Sequence, residues 1–448
     1  MRTGTKIGSA AFLLACMAAP LWAQPKEDPG DLKTTVEALK QRLREQDRRI
    51  REQDTRLAEL EGSRKAGAVS QDAQREAIRK VLAEMKTDAS TRSNLPGWLD
   101  NLKFGGDFRL RYQGDCFNWG STASAQKKTR NRARYRLRVG ATKTWLDKQL
   151  EVGFRLASGE SEDPTSTNQS FTGNYSDKPV WIDLAYARYS PKAVKGLSIT
   201  GGKMKNPWHM NEIFMDSDVN PEGFWTEYQA PEFGPVQPFV GAGYFVLRES
   251  SSDFDTTMYG VQGGLKWDIA KDVQYAAAGY WQDYDHYDTS GASARGNDSP
   301  LTHVPAFGVI GLANSLEVKA FGRPLSFFFD WAHNCGEADS TADYADANNA
   351  YYAGVKFGKN KKKGDWSAKY CYAYVEANSL PGNFVDSDFG HANRKGHVLK
   401  GEYNLLDDLT VGAALFLTEP IFSPTTTSGS SAYEDRTVTA QVDLVWKF

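Results

Sequence analysis

The chain closes on RTVTAQVDLVWKF, Arg436 to Phe448. Val438, Ala440, Val442, Leu444, Trp446 and Phe448 alternate with Thr437, Thr439, Gln441, Asp443, Val445 and Lys447. Successive side chains of a strand point to opposite faces, so this segment has one apolar face and one almost wholly polar face. The edge strand of a soluble sandwich is the ordinary alternative, but such a strand seldom ends on Trp and Phe. A transmembrane β-barrel has a use for that pattern: its outer face meets lipid, its lumen is polar, and aromatic side chains sit at the membrane boundary.

From Leu102 onward the same period-two pattern recurs. It predicts sixteen strands, near 102–112, 131–144, 149–158, 180–190, 197–204, 222–229, 237–248, 256–268, 272–284, 314–320, 324–333, 350–358, 365–376, 395–404, 408–418 and 436–448. The joints alternate in length. Those at 145–148, 191–196, 230–236, 269–271, 321–323, 359–364 and 405–407 are short; most of the others are long and rich in Gly, Ser, Asp and Asn. Short turns at one rim and long loops at the other define an all-β transmembrane antiparallel barrel over 102–448. The patterns at 197–204, 222–229 and 314–320 are the faintest, which leaves eighteen strands open. Hydrophobic residues make up 40% of the chain and no stretch beyond the first two dozen residues is long and apolar enough to span a bilayer as a helix.

The N-terminal quarter reads differently. Arg2 and Lys6 precede an apolar run to Ala23, which is the pattern of a secretory signal peptide over 1–23. Within 31–61, Val36, Leu39, Leu43, Gln46, Ile50, Gln53, Leu57 and Leu60 recur at spacings of three and four, and the heptad REQDRRI is followed by REQDTRL. An apolar seam with charged flanks predicts a coiled coil, with the two glutamines lowering stability and restricting register. So short a coil does not hold as a monomer, so the segment implies oligomerisation. A shorter helix and linker follow over 68–94.

The polar faces carry the chemistry. Arg130, Arg132, Arg134, Arg136 and Arg138 recur at every second residue, and Arg109 and Arg111 do so on the preceding strand. One arginine at the bilayer midplane costs about 2–4 kcal/mol, so this face lines water rather than lipid. Arg155, Lys203 and Lys205 extend it. Two readings stay open: a ladder neutralised by neighbouring carboxylates, or a basic pore wall. The third long loop, 204–224, supplies Glu212, Asp216, Asp218 and Glu222, which folded inward would face the arginines and set a transverse field. Asp216, Asp218, Asn220, Glu222 and Glu227 also keep a calcium-loop spacing, but Pro221 stands where that turn needs Gly, so no metal is expected.

Around this loop Gly202-Lys203, Asn206-Pro207, Phe214, Asp216, Asp218, Asn220 and Glu222-Gly223 follow a recognisable pattern. With the leader, the coiled coil and the barrel, the chain resembles the putative porins of Gram-negative bacteria over essentially its whole mature length. The resemblance implies passive diffusion of small hydrophilic solutes across the outer membrane, usually by a homotrimer, with the coiled coil in the periplasm. The last strand likewise resembles the closing strand that the outer-membrane assembly machinery reads, which singles out Trp446 and Phe448. The expected surroundings are outer-membrane lipid; no cofactor is implied.

Other classes fit less well. A formal charge of -2 gives no bias toward nucleic acid. His209, His286, His303, His333, His391 and His397 show neither metal spacing nor a nucleophile context, so no enzyme is expected. Three cysteines follow the leader, Cys116, Cys335 and Cys371, too few and too far apart for a disulfide framework, although a Cys116–Cys335 bridge stays open. The competing functional reading is an envelope tether, in which the coiled coil binds peptidoglycan or another periplasmic partner.

Overall fold

A computed structural model describes residues 99–117, 128–160, 163–287, 294–297, 306–336, 344–422 and 436–448, together with seven helical residues between Gln41 and Thr55. The chain divides into two units, Met1–Leu95 and Pro96–Phe448. In the first, Gln41, Arg44, Glu45, Arg48, Arg51, Glu52 and Thr55 are helical, and Arg48 pairs with Glu45 at 2.8 Å. The seam residues Val36, Leu39, Leu43, Gln46, Ile50, Gln53, Leu57 and Leu60, the leader 1–23 and the segment 68–94 lie outside the described residues.

The second unit is a closed antiparallel barrel. Its strands are β1 Leu102–Phe117, β2 Lys128–Trp145, β3 Leu150–Ser158, β4 Gln169–Ser170, β5 Val180–Tyr189, β6 Leu197–Lys203, β7 Glu222–Gln229, β8 Val236–Arg248 and β9 Thr256–Ala270. They continue as β10 Val273–Asp285, β11 Phe307–Ala320, β12 Arg323–Asn334, β13 Asn349–Gly358, β14 Trp366–Val375, β15 Arg394–Asn404, β16 Leu409–Pro420 and β17 Thr437–Lys447. Each long strand pairs with the next, and β17 pairs with β1 through eleven residue pairs from Asp107↔Lys447 to Phe117↔Thr437, which closes the cylinder. The two-residue β4 is a loop segment laid on β2 at Arg134↔Ser170, above the point where β3 stops pairing with Arg138. The staves among the described residues therefore number sixteen.

The alternation seen in the sequence sorts side chains between two faces. Phe104, Leu110, Tyr112, Val139, Phe154 and Leu444 are exposed, while Gln113, Asp115, Arg136, Gln262, Gln282 and Gln441 are buried. This is inside-out for a soluble protein and correct for a lipid-facing wall, where closure leaves no unpaired strand edge. Short joints hold the other rim. Ala320 pairs with Arg323, so Phe321 and Gly322 form a two-residue hairpin, both at positive φ (52° and 75°). That left-handed pair matches the strand twist.

Two features depart from expectation. β11 begins at Phe307, seven residues before the alternation becomes legible at Asn314. There Phe307 and Val309 point inward yet are wholly buried and apolar, because Phe307 packs edge-on to Tyr284 and Tyr287. The interior is also not uniformly polar. Trp208, Ile213, Phe214, Met215 and Val219 from the loop 204–221 join inward Trp225, Phe245, Met258, Tyr280 and Tyr352 in one apolar cluster with Leu380, Val385 and Phe389. Loop residues inside the barrel thus give inward-facing apolar side chains something to bury against. Cys116, Cys335 and Cys371 are all free thiols.

Candidate functional site

The arginines of β1 and β2 lie side by side. The register sets Arg111 against Arg134 and Arg109 against Arg136, with Asp107 opposite Arg138. Like charges at this spacing repel unless carboxylates intervene, and most here are paired. Asp107 takes both Arg136 and Arg138 at 2.7 Å. Arg132 donates to Asp115 at 2.9 Å. Arg111 grips Asp443 of β17 with two bonds, at 2.7 and 2.8 Å, and donates to Asp388 at 2.9 Å. Arg109 donates to Asn168 Oδ1 and sits 4.0 Å from Asp443. Arg134 is different: it donates to Gln113 Oε1 (3.0 Å), Ser166 Oγ (3.3 Å) and the Asn168 carbonyl (3.4 Å), all neutral, and forms no ion pair among the described residues. The sequence left a paired ladder and a basic wall as alternatives; among the described residues the ladder is mostly paired, with Arg134 and the outlying Arg130 in no ion pair. Arg130 is exposed at the end of the row. Arg155 pairs with Asp183, Lys203 donates to Glu222 at 2.7 Å, and Lys205 is exposed.

The loop between β6 and β7 runs from Met204 to Pro221; Glu222 to Phe224, which the sequence reading counted both in the loop 204–224 and in the strand 222–229, belong to β7. The loop is fastened at several distant strands. Gln262 of β9 accepts from His209 N at 3.0 Å, and Asp330 of β12 accepts from Asn211 N and Nδ2 at 3.1 and 2.8 Å. Glu212 accepts from Lys369 of β14 at 2.6 Å and Lys400 of β15 at 3.2 Å. Asp218 accepts from Arg138 of β2 at 3.3 Å and from Thr167 Oγ1 at 3.0 Å. A second segment, 376–393, meets the loop through Asp216 N donating to the Phe384 carbonyl (2.8 Å) and Asp386 N donating to the Ile213 carbonyl (3.0 Å).

The four loop acids therefore do not act together. Of the four, Asp218 is the one that pairs with an arginine among the described residues. Glu212 reaches the lysines of β14 and β15, Asp216 is buried against Asp386 and Asp388, and Glu222 pairs with Lys203 on β6. Burial would raise Glu212, but Lys400 and Lys369 more than offset it and hold the carboxyl at about 2. Burial likewise opposes the charge on Asp388, yet Arg111 and Gln441 keep it at about 2. Its neighbour Asp386 forms no ion pair among the described residues, and burial followed by the nearby Asp388 charge pushes it up to about 7 despite Lys400. Asp216 is raised by burial and then by the Asp386 and Asp218 charges.

Sequence reading missed Asp107, Asp115, Asp388, Asp443, Lys369 and Lys400. The lysines carried a usable signal: both sit on the inward register of alternating strands, and Lys356, Lys369 and Lys400 stand in one cross-strand row. The loop acids Asp386 and Asp388 carried none, because only tertiary structure brings 376–393 to Arg111. Around the ring the described residues set Arg109, Arg111, Arg132, Arg134, Arg136, Arg138, Lys369 and Lys400 against Asp107, Asp115, Asp218, Asp388, Asp443 and Glu212.

A closed barrel of sixteen staves with an apolar outside and a charged inside is the architecture of an outer-membrane channel. The profile of the family described as putative porin matches residues 121–300 and 314–443, and the chain belongs to that family. It is thus an outer-membrane channel for solute diffusion. Among solved structures it is similar to Pseudomonas putida OprB in a high-pH form, at 13% identity and a TM-score of 0.49 over 79% of this chain and 95% of that one. It is also similar to a triple mutant of the Rhodopseudomonas blastica porin, at 10% identity and a TM-score of 0.40 over 78% of this chain and 100% of that one. No curated protein matches the chain.

Proposed function

We propose that this porin passes small hydrophilic solutes with a preference for anions, through a lumen narrowed by the loop 204–221. The observation that carries the reading is the fastening of that loop to β2 through Asp218 and to β14 and β15 through Glu212, strands on well-separated parts of the wall. The anion preference is small, because it rests on a ladder whose arginines are mostly paired with carboxylates, with Arg134 in no ion pair among the described residues. Single-channel recording in planar bilayers with a salt gradient tests it. A reversal potential of cation-selective sign in neutral buffer would refute it.

Asp216 and Asp386 make the preference depend on pH. Carboxyls whose values are raised by folding favour the folded loop contact while protonated. That contribution is complete below the ordinary carboxylate range and is lost as pH rises through the raised value, about 7 for Asp386. Rising pH adds negative charge beside Asp218, Asp388, Glu212, Lys400 and Arg111. The anion preference measured by reversal potential should therefore be larger at pH 5 than at pH 8.5, and Asp386→Asn should flatten the change. An equal preference at both values would show that these groups do not face the permeation path.

For assembly we read a homotrimer held by the barrel walls, with the N-terminal segment 31–61 as a parallel coiled coil in the periplasm. Barrels side by side in one membrane launch their N-termini from the same face, which makes the strands of the coil parallel. From Val36 to Leu60 the rise of 1.5 Å per residue gives a stalk roughly 40 Å long. Replacing Leu43 and Ile50 by Asp should melt it. Analytical ultracentrifugation of the peptide 31–61 should find an oligomer for the native sequence and a monomer for the double variant; a native monomer at high micromolar concentration would sink the autonomous coil.

A further inference from the structure

The inward lysines extend toward the short-turn rim along a line set by the strand register. Lys400 stands opposite Lys369, Lys369 opposite Lys356, Lys356 opposite Ser326, Ser326 opposite Glu317 and Glu317 opposite Gln274. In the other direction the row runs through Ala414, Gln441 and Gln113 to Arg132. Barrel strands are tilted, so a row of register partners winds round the axis. Arg132 stands near the long-loop end of β2, whereas Lys356 is close to the short-turn end of β13. Lys356 shares the face of Tyr352, whose ring meets Phe214 of the loop at 6.4 Å, so it points into the barrel. The row therefore descends from the arginine ladder to the inner mouth.

At that rim the row reaches a cavity of about 990 Å³. Its acids are Asp268, Asp272 and Glu317; its lysines are Lys271, Lys319, Lys356, Lys359 and Lys361. Lys319 meets Asp272 at 3.8 Å. Asp268 accepts from Gln274 at 2.6 Å and Glu317 from Ser326 at 3.2 Å, both neutral donors. Among the described residues Lys271, Lys356, Lys359 and Lys361 form no ion pair, and each reaches solvent. The turn that carries Lys359 and Lys361 is fixed through its backbone. Asp365 accepts from the N–H groups of Lys361 and Lys362 at 3.1 and 3.0 Å, Asp407 accepts from Lys363 N at 2.7 Å, and Gly364 N donates to the Asn404 carbonyl at 2.9 Å. These carboxylates hold main-chain N–H groups rather than ammonium groups.

We propose that this inner-mouth cavity is a binding station for small oxyanions that carry several charges, of the polyphosphate kind. It rests on the reading of the chain as a channel and not on the selectivity of the arginine ladder. Lysine ends in a compact cation with three donors, which suits phosphate oxygens without demanding the planar geometry of a guanidinium. Several ammonium groups around one cavity select for charge number rather than shape. At physiological salt a charge is screened within about 8 Å, so a singly charged ion gains little from any one lysine, whereas an anion long enough to meet several gains from each. The two ends of the row differ in their partners: most ladder arginines are held by carboxylates, and most lysines of the cavity are not.

Equilibrium binding tests it without reference to conduction. Isothermal titration calorimetry of the full chain in detergent micelles, at about 0.15 M salt, should show saturable binding of tripolyphosphate at least ten-fold tighter than orthophosphate. Replacing Lys356, Lys359 and Lys361 together by Gln should weaken that binding at least ten-fold. Lys192→Gln combined with Lys195→Gln, on the short turn between β5 and β6, should leave it unchanged, which separates the cavity from rim lysines in general. If the triple variant loses heat-modifiable migration, Lys356→Gln alone decides, with a several-fold loss expected. No saturable heat with the native chain, equal affinity for orthophosphate, unchanged affinity in the deciding variant, or an equal loss in the Lys192 and Lys195 variant overturns the proposal. A cation-selective reversal potential with tripolyphosphate binding intact would refute the anion preference proposed above and leave this site standing.

Discussion

Replacing Arg134 and Arg136 together by Glu should shift the selectivity of the channel toward cations and so reverse the anion preference proposed above. The double substitution removes two cations and adds two carboxylates, and the change falls where the native ladder is least neutralised. Arg134 contributes most because, among the described residues, it bonds the neutral Gln113, Ser166 and Asn168 and forms no ion pair. Arg136 contributes less in the native protein, since it shares Asp107 with Arg138. A glutamate in its place, however, would leave two carboxylates, its own and that of Asp107, to the single guanidinium of Arg138. The anion-to-cation permeability ratio should fall by about ten-fold, equivalent to about 1.4 kcal/mol, read from the reversal potential across a salt gradient. Arg134→Gln alone should give a smaller shift of the same sign and leaves every ion pair of the ladder in place. That single variant guards against a fold effect, because removing one partner of a buried pair costs about 3–5 kcal/mol. No shift in either variant would place these residues away from the permeation path.

What the sequence makes legible follows from where side chains find their partners. Strands whose inward side is polar alternate cleanly, so the pattern gives β17 within one residue of each observed end. Legibility fails where inward residues pack against other protein. Phe307 and Val309 read as apolar on an inner face because the interior cluster covers them. The site divides in the same way. The arginine rows are visible because five like residues at period two have one structural meaning. Their neutralisation is not, because Asp107, Asp115 and Asp443 are single acids on other stretches of strand, brought opposite only by register. Glu212 shows the limit most plainly. Its acidity is evident, but its partners Lys369 and Lys400 lie 157 and 188 residues away, and no local pattern ties a loop to that part of the wall.

Deleting Phe448 should prevent assembly into the membrane, and the closing seam explains why. β1 and β17 are joined by pairing between the two ends of the barrel chain, so this contact carries the longest loop closure in the fold. Phe448 lies at its end. Its N–H donates to the Gly106 carbonyl at 3.1 Å, and its carbonyl accepts from Gly106 N at 2.9 Å. Gly106 is small for a reason: a Cβ there would stand 2.8 Å from the Phe448 ring and 2.2 Å from the Arg138 carbonyl. The ring lies against bare backbone while remaining 58% exposed, beside Trp446, whose indole donates to Asp408 at 3.2 Å. Removal of Phe448 takes away both backbone bonds and the last outward aromatic of the closing strand. An open seam leaves strand edges without partners in lipid, where each unsatisfied group costs several kcal/mol. The shortened chain should accumulate as protease-sensitive material outside the membrane, with heat-modifiable migration lost. Gly106→Val attacks the same contact from the opposite strand and should reproduce the defect with Phe448 intact, which separates failure of closure from loss of a terminal recognition signal. Normal yield and normal heat-modifiable migration of the Phe448 deletion would refute both roles; a defect in the deletion with a normal Gly106→Val barrel would leave recognition as the cause.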